Sequence, residues 1–312
     1  MRLPNAHCTS PRAHARQPWK PADATVARPL MTPVLHTADP ALGRPRPASG
    51  SAKLRFCRSG KRTVLAEALA VSPLRLLAPR NHGDGAWVFL SNLGGGLVDG
   101  DRLDIRVEVG ENATALLGTQ ASTKVYRSPH GCSQRLEAHV GEGACLAMVP
   151  DPVVCFAGAR YTQEIRIDLA PDASLFLVDG YTCGRAARNE RWDFERYASR
   201  AAITRGPAQV LVDATTLDPS LGSIADRMGR FNIVMSVIAI GPQFADVRRV
   251  LLAAQPAPTS GSSVITAASP FGRDGVLLRV AADRFEKASR ALRPSFGELT
   301  RSLGDNPFVR KW

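Results

Sequence analysis

The sequence predicts a mainly β protein whose sheets stack in layers, as in a β-helix or a distorted sandwich, with a few helices toward the C-terminus. Three observations carry that expectation. Apolar and charged residues alternate with period two in separate stretches, the signature of half-buried strands. Glycine and proline number 26 and 23 in 312 residues while only 6% are aromatic, which suits many short strands and turns. Apolar spacing of helical period is confined to the last quarter of the chain.

Taken in order, the first 50 residues hold nine prolines and seven Lys or Arg against Asp23 and Asp39. Each proline removes a backbone donor and fixes φ, so this stretch reads as a disordered basic leader. Residues 51–312 read as one β-rich domain opening at "KLRFCRSGKRTVLAEAL". Leu103, Ile105, Val107 and Val109 alternate with Asp104, Arg106 and Glu108, and Ile165, Ile167 and Leu169 with Arg166 and Asp168; each set is a strand with one face in the core. "SLFLVDG", "AQVLVD" and "GVLLRV" are short apolar runs of the kind buried on both faces. Phe244, Val247, Val250 and Leu251 share one side of a short helix. Phe285, Ala288, Leu292, Phe296, Leu299 and Leu303 share one face of a longer helix, which Pro294 is expected to kink or split. No regular short repeat and no alternation of strands with helices is visible, which disfavours a doubly wound parallel sheet.

Forty Lys and Arg against 28 Asp and Glu give a net charge of +12, an excess that favours acidic partners without choosing among them. A nucleic-acid or polyanion binder would interleave basic residues with exposed aromatics on one element, whereas here the charge is dispersed. There is no secretory-type start and no run of 18 or more apolar residues, so no membrane partner is expected and a cytoplasmic location is. Cys8, Cys57, Cys132, Cys145, Cys155 and Cys183 form no CxxC pair. They read as reduced, small buried hydrophobes rather than as a zinc site.

The stretch "SNLGGGLVDGDRLDIRVEVG", residues 91–110, offers three readings. A phosphate cradle needs a helix after its glycines, but a strand follows here, and Asp99 and Asp101 would repel the ligand. A calcium loop needs the EF-hand order, which is absent. A tight β-connection remains, with Gly94 to Gly96 permitting positive φ or close backbone approach. In "TQASTKVYRSPHGC", Thr119, Gln120, Thr123, Lys124, Tyr126 and Arg127 either line a polar binding surface or belong to a strand with one solvated face. Asp151, Asp168, Asp172 and Asp179 read as turns or caps. No GxSxG, HExxH or triad is present, and no enzymatic activity is expected.

Taken together, "GGGLVDGDRL", "TQASTKVYRS", "VPDPVVCFAGARY", "DLAPDASLFLVDGYTCGR" and the terminal "PFVRKW" resemble, in order and spacing, the urease accessory proteins of the UreD/UreH family. The family pattern maps onto Gly95, Gly96, Gly100 and Asp101, then onto Thr119, Gln120, Lys124, Val125, Tyr126 and Arg127. It continues at Phe156, Gly158 and Ala159 and ends at Gly184 and Arg185. Asp99 stands where the family often has glycine, and "PDP" at Pro150 to Pro152 replaces a more usual "PQE", leaving Asp151 as the acidic group of that loop.

The resemblance implies layered β-sheets with a few helices. It also implies a maturation scaffold that binds the urease apoprotein and recruits UreF and the nickel-carrying GTPase UreG, with no tightly bound cofactor. A role on a partner surface or along an internal passage is implied for Gly95, Gly96, Asp101, Thr119, Gln120, Lys124, Tyr126, Arg127, Gly184 and Arg185. Such a passage needs polar walls and weak ligands, so any nickel contact is expected to be transient, with Asp101 and Asp99 as its ligands.

Overall fold

The computed structural model describes residues 50–80, 83–254 and 261–306. The expected leader, but for Gly50, and the terminal "PFVRKW" lie outside them. The described chain begins with strands β1 (Gly50–Ser59), β2 (Arg62–Val71), β3 (Leu74–Leu77) and β4 (Ala86–Asn92). It continues through β5 (Arg102–Val109), β6 (Thr114–Thr119), β7 (Lys124–Val125), β8 (Cys132–Val140), β9 (Cys145–Val149), β10 (Val153–Cys155), β11 (Arg160–Leu169), β12 (Ser174–Thr182) and β13 (Arg196–Arg205). It closes with β14 (Ala208–Leu217), helix α1 (Ile224–Met228), β15 (Ile233–Ile240), helix α2 (Ala245–Ala253), β16 (Val264–Phe271), β17 (Gly275–Ala282) and helix α3 (Phe285–Leu303).

Two sheets result. One runs β14-β13-β11-β8-β5-β1-β2 and the other β16-β17-β15-β12-β9-β6-β4-β3. At their centres the strands are parallel, β1, β5, β8, β11 and β13 in the first and β4, β6, β9 and β12 in the second. Parallel neighbours need a crossover, commonly a helix. Here the crossover from one strand of a sheet to the next is a strand of the opposite sheet, so from β4 to β13 the chain winds as a flattened solenoid. Leu97, β7 and β10 pair in parallel along a third, narrow side.

The sequence shows no regular short repeat by inspection, yet the fold contains one. Strands β4, β6, β9 and β12 begin at Ala86, Thr114, Cys145 and Ser174, steps of 28, 31 and 29 residues. The repeat is written at the corners, where "GENATA", "GEGACL" and "APDASL" occupy equivalent places. In each, a fully buried alanine (Ala113, Ala144, Ala173) donates its N–H to the carbonyl three residues back at 3.1 Å. The corners also stack: Gly141 N–H donates to Val109 O at 2.8 Å, and Ala170 N–H to Val140 O at 2.9 Å. Between corners the strands share only alternation, and a period of that length carries little residue identity.

Residues facing inward from both sheets, such as Leu54, Ile105, Leu136, Ile167 and Leu177, fill one core. The outer face of the second sheet, with Trp87, Leu116, Phe176 and Val280, is covered by α2 and α3, making a third layer. The outer face of the first sheet is charged. Asp104, Arg135, Glu164 and Arg200 are register partners on adjacent strands and alternate in sign. Arg166 lies 2.6 Å from Glu164 and His139 3.2 Å from Asp168. Such a face compensates its own charge.

Two sequence expectations are corrected by position in the fold. "AQVLVD" is not buried on both faces, because β14 closes its sheet and Ala208, Gln209 and Val212 are exposed. Pro294 does not split α3, because Ala288 and Leu292 before it and Phe296, Leu299 and Leu303 after it pack on the same sheet while the proline points to solvent.

The last coil is tied across the sheets by a bidentate pair, Arg205 to Asp274 at 2.9 and 3.2 Å, with side chains only 13% and 17% exposed. Burial pushes the Asp274 carboxyl up, and the Arg205 guanidinium more than offsets it, leaving the group below its ordinary value. A carboxyl depressed by folding contributes stability that is present above the unfolded pKa and lost as pH falls through the folded one. Arg205→Ala is therefore expected to cost about 3 kcal/mol in urea unfolding at neutral pH. Its difference from the parent should shrink once pH falls below about 4.

A polar belt between the sheets

The inward faces carry one row of polar groups that crosses the strands. On the first sheet Gln134 (β8), Gln163 (β11), Ser199 (β13) and Thr215 (β14) are successive register partners. On the second sheet Asp179 (β12), Ser236 (β15) and Arg279 (β17) are successive partners, and Thr119 ends β6. Period-two alternation aims every member of such a row into the space between the layers.

One end of the belt opens as a cavity of about 280 Å³ whose wall includes Gly95, Gly96, Thr119, Gln120, Thr123, Lys124 and Gln134. A deeper hollow of about 30 Å³ shares Thr119, Thr123 and Gln134 with it and continues to Asp151, Gln163 and Asp179. That volume suffices for one water. The Asp179 carboxylate accepts hydrogen bonds from Gln163 Nε2 at 2.9 Å and Ser199 Oγ at 2.8 Å. Gln163 in turn accepts from the Tyr161 hydroxyl at 3.3 Å. Burial pushes the Asp179 carboxyl up from its ordinary value, the Ser199 and Gln163 hydrogen bonds oppose this, and the nearby charge of Asp213 adds to it. Asp151 forms a reciprocal pair with Thr119, accepting from its hydroxyl and donating its own N–H to it, both at 2.8 Å.

The sequence reading placed Asp179 in a turn or cap, and the structure corrects this. Asp179 is the one carboxyl of β12 and follows the apolar run Leu175–Val178. The available signal was its inward parity within "SLFLVDG", where an acid has no solvated face to occupy.

The glycine-rich segment is a turn that shapes the cavity mouth. Gly94 and Gly95 have φ of 85° and 76°. A Cβ on Gly96 would lie 2.6 Å from the Lys124 carbonyl oxygen and 2.9 Å from the Tyr126 ring, so only glycine lets the two segments close. Asp101 accepts the Val98 N–H at 2.9 Å. Asp99 accepts the His130 N–H at 2.8 Å and faces its ring Nδ1 at 2.7 Å; the His130 contact holds its carboxyl below the ordinary value. Both aspartates brace the turn, and neither lines the cavity or the hollow.

Tyr126, whose ring lies against Gly96, leads from the mouth onto the narrow side, where Arg127, Gly184 and Arg185 stand. Tyr126 meets Phe156 edge-on with centroids 5.2 Å apart, and the Arg185 guanidinium sits 4.1 Å above the same ring. Arg185 Nε donates to Glu190 at 2.8 Å. Gly184, at φ 102°, leaves no room for a Cβ, which would fall 2.7 Å from the Cys155 carbonyl oxygen. Arg127 runs along Gly158, where a Cβ would lie 3.0 Å from its Cγ.

Among the described residues no three His, Cys, Asp or Glu gather into a metal-ligand set. The five described cysteines are buried, and burial pushes the Cys145 and Cys155 thiols up to about 12. No helix among the described residues is long and apolar enough to cross a membrane.

A family model described as UreD urease accessory protein matches residues 48–312. The chain belongs to the UreD family. It is 49% identical to the urease accessory protein UreD of Sorangium cellulosum, covering 99% of this chain and 98% of the relative. To the UreD of Anaeromyxobacter sp. it is 42% identical over 89% and 96%, and to the urease accessory protein D of Oryza sativa subsp. japonica 34% over 84% and 95%. A role in urease maturation follows from membership. For this UreD chain, what the geometry adds is a surface cavity that shares Thr119, Thr123 and Gln134 with a small hollow reaching a buried acid.

An acid whose pKa is raised by folding contributes stability that is full below the unfolded value and lost as pH rises through the folded one. Ionised Asp179 is thus a liability near neutrality. Asp179→Asn is expected to raise stability by about 1 kcal/mol at pH 7, with the gain vanishing below about pH 4 in thermal melts. Gly96→Ala, which forces a Cβ against backbone, should instead lower stability by about 2 kcal/mol in the same measurement.

Proposed function

We propose that this protein is a cytoplasmic maturation scaffold that binds the urease apoprotein, recruits UreF and UreG, and gives nickel a path toward the enzyme's active site along the polar belt. The observation that carries this reading is the surface cavity at Gln120 and Lys124, which shares Thr119, Thr123 and Gln134 with the small hollow that reaches Asp179. A fold gains no stability from burying a carboxyl in an apolar core, so a group of this kind asks for a use. Hydroxyl, amide and carboxyl oxygens are weak ligands for a divalent ion. They let a cargo ion move, where a closed thiolate site would retain it.

In this reading the expected site residues divide. Gly95, Gly96, Thr119, Gln120 and Lys124 form the mouth of the passage, while Tyr126, Arg127, Gly184 and Arg185 form a surface for a protein partner. The transient ligands are Asp179 and Asp151 rather than Asp101 and Asp99, whose oxygens brace the turn. A polyanion-binding role is disfavoured because the broad exposed sheet face alternates in charge sign.

The test is nickel per urease active site after maturation with each variant, beside a pull-down of UreF and UreG. Asp179→Asn should leave the complex assembled and lower nickel content by about tenfold. Normal nickel content with Asp179→Asn and a loss with Asp101→Ala would move the path to the turn. Failure of the parent protein to retain UreF or UreG would overturn the scaffold itself.

A further inference from the structure

At the end of the belt away from the cavity, two inward charges meet. On β17, Val276, Leu278, Val280 and Ala282 lie in the core under the helices, so Arg279 points the other way, toward the first sheet. On β14, Asp213 is the register partner of Ala201, which lies in the core between the sheets, so Asp213 points inward too. Arg279 Nη2 bonds Asp213 Oδ1 across the layers. Asp179 stands two strand spacings from Arg279 with Ser236 between them, about 10 Å by ordinary sheet dimensions. Tyr181, on the strand of Asp179, registers all three: burial chiefly pushes its hydroxyl up, Asp179 and Asp213 push the same way, and Arg279 opposes them.

The form of this pair differs from that of the other inter-sheet pair. Arg205 and Asp274 are both shielded and joined by two bonds. The Asp213 side chain is 11% exposed, whereas that of Arg279 is 47% exposed and holds its partner through one nitrogen. The acid is shielded inside, and the cation is half in contact with solvent. Arg279 also lies one strand from the sheet edge, opposite the small, exposed Ala267.

We propose that Arg279 is a displaceable counter-cation that closes the far end of the belt. Its guanidinium neutralises Asp213 and lies within reach of the Asp179 end, so it competes with a divalent cation for these oxygens; the ion leaves when the guanidinium swings aside and returns. The proposal rests on the passage reading and adds a gating residue to it. The guanidinium is a positioning group in this scheme, acting on the cargo ion by charge alone.

The experiment is calorimetric titration of the purified protein with nickel chloride, comparing the parent with Arg279→Gln, Arg279→Met and Arg279→Lys, each checked by thermal melting. Both neutral variants should bind nickel about tenfold more tightly than the parent, and the lysine variant should bind as the parent does. Adding Asp179→Asn or Asp213→Asn to Arg279→Gln should abolish the gain. A purely structural arginine would give neutral variants that melt earlier and bind nickel no better. That result in both Arg279→Gln and Arg279→Met overturns the gate. Nickel content of matured urease that is indifferent to Asp179→Asn overturns the passage reading instead, so the two failures are told apart.

Discussion

A chain that lays strands side by side in the same direction must return to its starting edge after every stroke. In this protein the return stroke is itself a strand of a second sheet. Everything else depends on that choice. It sets the coil length near 30 residues and places every second side chain of both strokes in one shared interior. It also demands corners that turn within a few residues and stack without gaps, which Ala113, Ala144 and Ala173 provide by being too small to hold neighbouring coils apart.

Placing polar groups on matching rungs of such a stack produces a row that no single strand shows. Gln134, Gln163 and Ser199 are far apart in sequence and adjacent in register. Gln163 and Ser199 donate across the layers to Asp179 and bond to each other, so the cost of desolvation falls mainly on the carboxyl that is ionisable. The stability forgone there is balanced by the apolar layers above and below the belt and by the shielded Arg205–Asp274 tie beyond it.

Much of the fold was legible in the sequence. Alternation at Leu103–Val109 and Ile165–Leu169 located strands, and the spacing from Phe285 to Leu303 located the long helix. Parallel pairing was not legible, because alternation reports which face is buried but not which strand lies alongside. The difference between "SLFLVDG", central in its sheet, and "AQVLVD", at an edge, also depends on neighbours and not on composition. Of the site, the residues at Gly95, Gly96, Thr119, Gln120 and Lys124 were named from motif resemblance, and they meet at one cavity. Asp179, Gln163 and Ser199 were missed as a group, since only register brings them together. Asp99 and Asp101 were noticed for their charge, yet their oxygens are engaged with the turn and with His130.

The belt crosses the strands at right angles, and this has a consequence for what a wall of this kind is made of. In-register backbone amides and carbonyls are already spent on the ladders to left and right, so none is left to face the interior. Between the paired strands the lining therefore consists of side chains, hung from two plates held by their ladders, and backbone joins it only at the glycine turn of the cavity mouth. Bore, polarity and charge at each rung can be rewritten one codon at a time while the plates stay as they are. Relatives with the same coils can thus differ in the polarity and charge of this row, without any change of fold.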